Sequence, residues 1–125
     1  MDDSNLTDKK FQKELISGIA ALVLLSVLGQ ATEPMYGYRI AKMIESGRED
    51  MPMIKQGALY PVLRSLESSG LLESEVEPSV TGPPRRYYRI TDSGRKALLR
   101  WMEIWDRTKA FVHATLGEAD DDKKY

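Results

Sequence analysis

Apolar residues recur at helical spacing along four stretches of this chain and alternate along two others. In residues 10–29, Leu15, Ile16, Ile19, Leu22, Val23 and Val27 form one stripe, and Leu24, Leu25 and Leu28 add a second face. A helix apolar on more than one side must be covered on more than one side. The segment Gly37–Glu45 places Ile40, Ala41 and Ile44 on an inward stripe. Residues 55–69 put Leu59, Val62, Leu63 and Leu66 at i, i+3, i+4 and i+7, and Gly70 suits a left-handed cap. Pro61 removes one hydrogen bond and crowds the Gly57 carbonyl, which predicts a mild bend. Leu72–Glu77 alternates Leu72, Ser74 and Val76 with three glutamates. Residues 80–84, VTGPP, are a turn signal, and Arg85–Ile90 reads as the returning strand. Thr91 then caps a last helix, Asp92–Leu116, along which Leu98, Trp105 and Val112 recur every seven residues, as do Ala97, Ile104 and Phe111.

This order predicts a mainly α protein with a small β-hairpin: a winged helix-turn-helix plus a C-terminal dimerisation helix. Residues 1–9 read as a flexible leader, 10–91 as the winged helix domain, 92–116 as the dimerisation helix and 117–125 as an acidic flexible tail. Residues 30–35 form a turn and 46–53 a loop. The last helix has a wide apolar seam that would not be stable alone in water, and the preceding domain is too small to cover all of it. Leu15, Ile19, Val23, Leu98, Trp101, Trp105, Thr108 and Val112 are the expected dimer interface.

A length of 125 residues with 42% hydrophobic and 30% charged content suits one compact domain. Cysteine is absent, so disulfides and thiolate metal sites are excluded, and a cytoplasmic location is expected. The polar N-terminus is not a secretory signal. The apolar run at residues 19–28 is ten residues long, short of the roughly 20 that a membrane span needs. His113 is the single histidine and has no partner ligand, so neither metal nor cofactor is expected. Glu14, Glu45 and Glu67 are isolated carboxylates. No nucleophile sits with a base, so an enzyme is not expected.

The net charge of −1 hides an uneven distribution. Residues 79–100 hold six basic side chains (Arg85, Arg86, Arg89, Arg95, Lys96 and Arg100) against the single acid Asp92. The tail carries Glu118, Asp120, Asp121 and Asp122 against Lys123 and Lys124. Positive charge is thus concentrated where a wing would meet phosphate.

Three segments, YGYRIAKMIE from Tyr36, GALYPVLRSLESSGLLES from Gly57 and RRYYRITDSGRKAL from Arg85, closely resemble the PadR family of transcriptional regulators. The resemblance extends over roughly residues 15–116. The single helix after the wing resembles the family's short subfamily. The resemblance implies a homodimeric winged helix protein, usually a repressor in bacteria, on an inverted-repeat operator in double-stranded DNA. It also implies that the helix at 55–69 reads the major groove, that the first and last helices pack across the dimer axis, and that some members bind small molecules there. The chain departs from the family pattern at Ala58, where many members carry a small hydroxyl residue, and at Lys55-Gln56, where Ser-Pro is frequent.

The expected DNA face is Tyr36, Tyr38, Lys55, Gln56, Ala58, Tyr60, Arg64, Thr81, Arg85 and Arg86. Arg and Gln on a helix can reach base edges in the major groove, and tyrosine hydroxyls can donate to phosphate. The bland reading is a solvated helix face, with Tyr38 packed between the second and third helices. In the wing, Arg85 and Arg86 either meet DNA or pair with Glu73, Glu75 or Glu77, and one of the two is expected to pair. Tyr87 and Tyr88 are expected to pack the wing on the core. Trp101 and Trp105 fill a dimer seam or, standing apart from their symmetry mates, form a slot for a small planar aromatic effector; the resemblance to the family favours Trp105 for this role. The rival function is a winged helix used only for protein interaction, to which the near-neutral charge gives some standing.

Overall fold

The computed structural model describes residues 4–45 and 56–117. The elements run α1 (Ser4–Gln30), β1 (Met35–Tyr36), α2 (Gly37–Glu45), α3 (Gln56–Ser68), β2 (Leu72–Glu77), β3 (Arg85–Ile90) and α4 (Asp92–Leu116). The expected loop at 46–53, Lys55, the first three residues and the tail beyond Gly117 lie outside the described residues. Helix α1 starts at Ser4 rather than at residue 10, so most of the expected leader is helical.

The core forms where the apolar stripes meet. Leu24, Leu25 and Leu28 of α1 pack with Ile40 of α2, Leu59, Leu63 and Leu66 of α3, Leu72 of β2, Tyr88 and Ile90 of β3, and Ala97 of α4. By length and composition alone α1 could cross a membrane, which the ten-residue count of its apolar run understates. Its buried Ala20, Leu24, Leu25 and Leu28 instead make it the central helix of this core.

The sheet is antiparallel and three-stranded, in the order β1-β3-β2. The hairpin register pairs Leu72 with Ile90, Ser74 with Tyr88 and Val76 with Arg86, so the expected alternation holds. Leu72 is buried, Ser74 half-buried and Val76 exposed, because the hairpin leaves the core as it extends. The short β1, which pairs Met35 with Tyr88 and Tyr36 with Tyr87, was not expected: two residues carry no period.

Helix α3 ends in paired hydrogen bonds from Gly70 N to the Glu67 carbonyl (2.9 Å) and from Leu71 N to the Leu66 carbonyl (3.0 Å), with Gly70 at φ 79°. That left-handed step reverses the chain into β2 and favours glycine. The same turn receives the start of α4. Thr91 N donates to the Leu71 carbonyl at 3.1 Å. The Thr91 hydroxyl donates to the Gly70 carbonyl at 2.7 Å and accepts from Gly94 N at 2.9 Å. Gly94 is buried in this contact. An added Cβ there would overlap the Leu71 carbonyl oxygen and lie 2.7 Å from Cγ1 of Ile90.

Gly94→Ala is therefore expected to lower the unfolding free energy by about 1–3 kcal/mol, the usual cost of overpacking a fitted site. Urea unfolding monitored by far-UV circular dichroism reads the change. Gly57→Ala is the control: an added Cβ there meets nothing within 4 Å, so stability should stay level or rise.

Candidate nucleic-acid interface

Helix α3 turns Leu59, Leu63 and Leu66 inward, which leaves Ala58 and Arg64 exposed on the opposite side. Gln56 opens the helix. Tyr60 is half-buried, with its ring against the start of α2. A Cβ added at Gly37 would come within 2.5 Å of ring carbon Cε1 of Tyr60. Gly37 thus lets α2 and α3 approach closely, and the packing between these helices that was the bland alternative for Tyr38 is made by Tyr60. Tyr38 stands 50% exposed, with the Lys42 ammonium 5.5 Å from its ring centroid. The reason is angular: Tyr38 lies two residues before the buried Ile40 and faces away from the core.

The wing arginines separate by face. Arg85 lies over the Tyr36 ring, 4.5 Å from its centroid, a cation–π arrangement. Tyr36 meets Tyr87 edge-on at 5.4 Å. Tyr88 packs in the core as expected, whereas Tyr87 packs on Tyr36 at the outer side of the sheet. On the other face Arg86 donates from Nη1 to Ser74 Oγ at 2.9 Å, and Ser74 Oγ donates to Glu67 Oε2 at 2.6 Å. Glu67, which looks isolated in the sequence, is therefore engaged. Ser74 carries no signal in the sequence beyond its inward phase on β2.

The expected arginine–glutamate pair forms, but neither Arg85 nor Arg86 makes it. Arg89 binds Glu73 at 2.6 Å because the two are direct partners in the register. Both side chains remain 53% exposed, so the pair adds little stability. Arg86 lies opposite Val76, on the face away from the glutamates. Arg95 turns back to the Gly29 carbonyl at the end of α1, at 3.3 Å. The six-to-one basic excess near the wing therefore overstates what is available to a partner: exposed Arg64, Arg85 and Arg86 remain on or beside α3 and the hairpin. Thr81 is exposed in the turn between the strands.

Along α4 only the first turns meet the core. Gly94 and Ala97 are buried, and Leu98 and Trp101 are half-buried against it. Beyond them Met102, Ile104, Trp105, Phe111, Val112 and Leu116 are exposed, as is Thr108. On α1, Leu15 is exposed, while Ile19 and Val23 are half-buried. Leu98 and Trp101 thus serve the chain's own core as well as any seam, and Trp105, at 38% exposure, is the more accessible tryptophan. Among the described residues no group of three metal-ligating side chains occurs.

The family model for the PadR-like transcriptional regulators matches residues 24–100. The chain belongs to the PadR-like family of transcriptional regulators. A PadR family regulator from Eggerthella lenta is 34% identical, with a TM-score of 0.70 over 91% of this chain and 94% of that one. A transcriptional regulator from Clostridium thermocellum is 31% identical, with a TM-score of 0.72 over 81% of this chain and 96% of that one. A Mycobacterium tuberculosis transcriptional regulator is 51% identical over 45 residues, which cover 36% of this chain and 41% of that protein. Membership of this PadR-like family makes the chain a DNA-binding regulator of transcription and not an enzyme.

The Tyr88 phenol is held above its ordinary value of 10, first by burial and then by the Glu67 charge, with Arg86 and Arg64 opposing. A raised folded-state value means that the native state keeps the proton longer than the unfolded chain. The associated stability is fully present below the unfolded value and is lost as pH climbs through the folded one. Unfolding free energy should thus fall as pH rises beyond about 10. Tyr88→Phe should show a shallower fall in urea titrations across that range.

Proposed function

We propose that this PadR-type regulator is a homodimeric repressor that binds an inverted-repeat operator in the cytoplasm. Helix α3 reads the major groove and the β2–β3 hairpin meets the flanking backbone. The observation that carries this reading is the joint display of Arg64, on the outer side of α3, with Arg85 and Arg86 on the adjoining wing. An α-helix fits the major groove, and arginine can reach guanine through two donors. Ala58 and Gln56 sit at the start of the same helix, where base edges come closest in helix-turn-helix docking. Tyr36, Tyr38 and Thr81 are backbone contacts in this reading, as is Lys55. Tyr60 contributes mainly by holding α2 against α3.

The dimer reading rests on the uncovered apolar side chains of α4, from Met102 to Leu116, and on Leu15 of α1. Such residues at helical spacing are stable when a second copy covers them. Two α3 helices would then stand about 34–36 Å apart, one turn of duplex. Trp105 near the two-fold axis offers a flat surface for a planar aromatic effector whose binding releases DNA.

Arg64→Ala and Arg85→Ala are each expected to weaken binding to the selected operator by about 5- to 150-fold at unchanged melting temperature. Fluorescence anisotropy on a duplex selected from a random-sequence pool measures this, and wild-type affinity in both variants would reject the assigned DNA face. Phe111→Asp combined with Val112→Glu should yield a folded monomer in sedimentation velocity, because neither side chain serves the core. A dimer that survives this pair would reject α4 as the interface.

A further inference from the structure

We propose that Ser74 and Glu67 are positioning residues for DNA binding, which hold the Arg86 guanidinium in a set place on the wing relative to the reading helix. This rests on the DNA-binding reading given above.

The argument begins with location. Glu67 belongs to α3, Ser74 to β2 and Arg86 to β3, so one short chain of hydrogen bonds crosses all three elements of the DNA face. The serine hydroxyl has one proton to give and can accept another. Here it gives that proton to Glu67 at 2.6 Å and accepts from Arg86 at 2.9 Å. The direction is set by the ends: a carboxylate can only accept and a guanidinium can only donate. Both bonds involve a charged group, which makes them stronger than neutral ones.

Burial separates the members. Glu67 and Ser74 are half-buried, whereas Arg86 remains exposed. Arg86 is opposite Val76, beyond the last core-facing pair of the hairpin, where packing no longer restrains it. A free arginine there would sample many rotamers and lose that freedom on meeting phosphate. The relay removes most of the freedom in advance, through one guanidinium nitrogen. Arg85 is restrained separately, by the Tyr36 ring on the opposite face. Two neighbouring cations are thus anchored to different elements, Arg86 to the reading helix and Arg85 to the segment before α2.

The test compares Ser74→Ala, Ser74→Thr, Arg86→Ala and the double variant Ser74→Ala/Arg86→Ala on the selected duplex, by anisotropy across a salt series. Ser74→Ala should weaken binding about 3- to 10-fold with an unchanged salt slope, because the cation is still present. Ser74→Thr, which keeps the hydroxyl, should restore affinity. Arg86→Ala should reduce the slope of log affinity against log salt by about 0.9, one phosphate contact. In the Arg86→Ala background, Ser74→Ala should cost nothing further. The relay is rejected if Ser74→Ala binds as wild type, or if its loss is equal in both backgrounds, which would mark a general structural defect. An Arg86→Ala protein with wild-type affinity and slope also rejects it, since nothing would be left to position. The broader reading fails separately: wild-type protein that selects no duplex removes the operator, whereas a wild type that binds and an Arg64→Ala variant that does not leave it standing.

Discussion

The first turn of α4 lies so close to the turn after α3 that no side chain fits at Gly94. Most of the functional geometry depends on this contact. Gly70 and Leu71 close α3 and launch β2, while Ile90 and Thr91 end β3 and launch α4. Both ends of the hairpin are therefore set by one junction, fastened by the Thr91 hydroxyl between the Gly70 carbonyl and Gly94 N. Swinging the wing from its base would break hydrogen bonds at a closely packed junction. The same junction sets the direction in which α4 leaves the domain, and so the axis along which its bare apolar side chains are offered.

Charge around α3 and the hairpin is arranged by the restraint of a few groups more than by quantity. The chain is close to neutral, and part of its local basic excess is spent internally: Arg89 on Glu73, Arg95 on the end of α1. The remaining cations are held by different means. Arg85 stacks on an aromatic ring, and Arg86 hangs on a serine that is itself held by a carboxylate. The glutamates of β2 fall on the sheet face opposite Arg86, where they border an open groove of about 330 Å³ with Tyr36, Arg39 and Tyr87. Arg85 and Arg89 share that face with the glutamates through the strand register, whereas Arg86 stands on the other, so the two neighbouring cations of the hairpin sit in different electrostatic surroundings.

Helix spacing, strand alternation and turn chemistry are local properties, and they were legible. The leucines of α3, the cap at Gly70, the alternation of β2 and the Thr91 cap all stand where the pattern placed them. The family segments made the winged helix readable as well. What local pattern could not convey was which polar side chains meet. Cross-strand register puts Glu73 opposite Arg89, so that arginine takes the ion pair expected of Arg85 or Arg86. Tyr38 is turned outward by the helix phase, as the exposed reading has it, whereas Tyr60, expected on the open face of α3, is half-buried because the missing side chain at Gly37 admits its ring. Strand β1 is too short to show any period, and it forms only because β3 offers it an edge.

Sequence alone determined the four helices, the hairpin, their order, the apolar stripes and the regulator family, because each is written in residue spacing or in contiguous motif. Tertiary structure alone decided which arginines stay available, which tyrosine supports the helix pair, and that Glu67, Ser74 and Arg86 come together from three elements. The physical reason is one of range. Periodicity reports how a residue relates to neighbours a few positions away, whereas a hydrogen bond between residues 12 apart depends on turns and register that no short window contains.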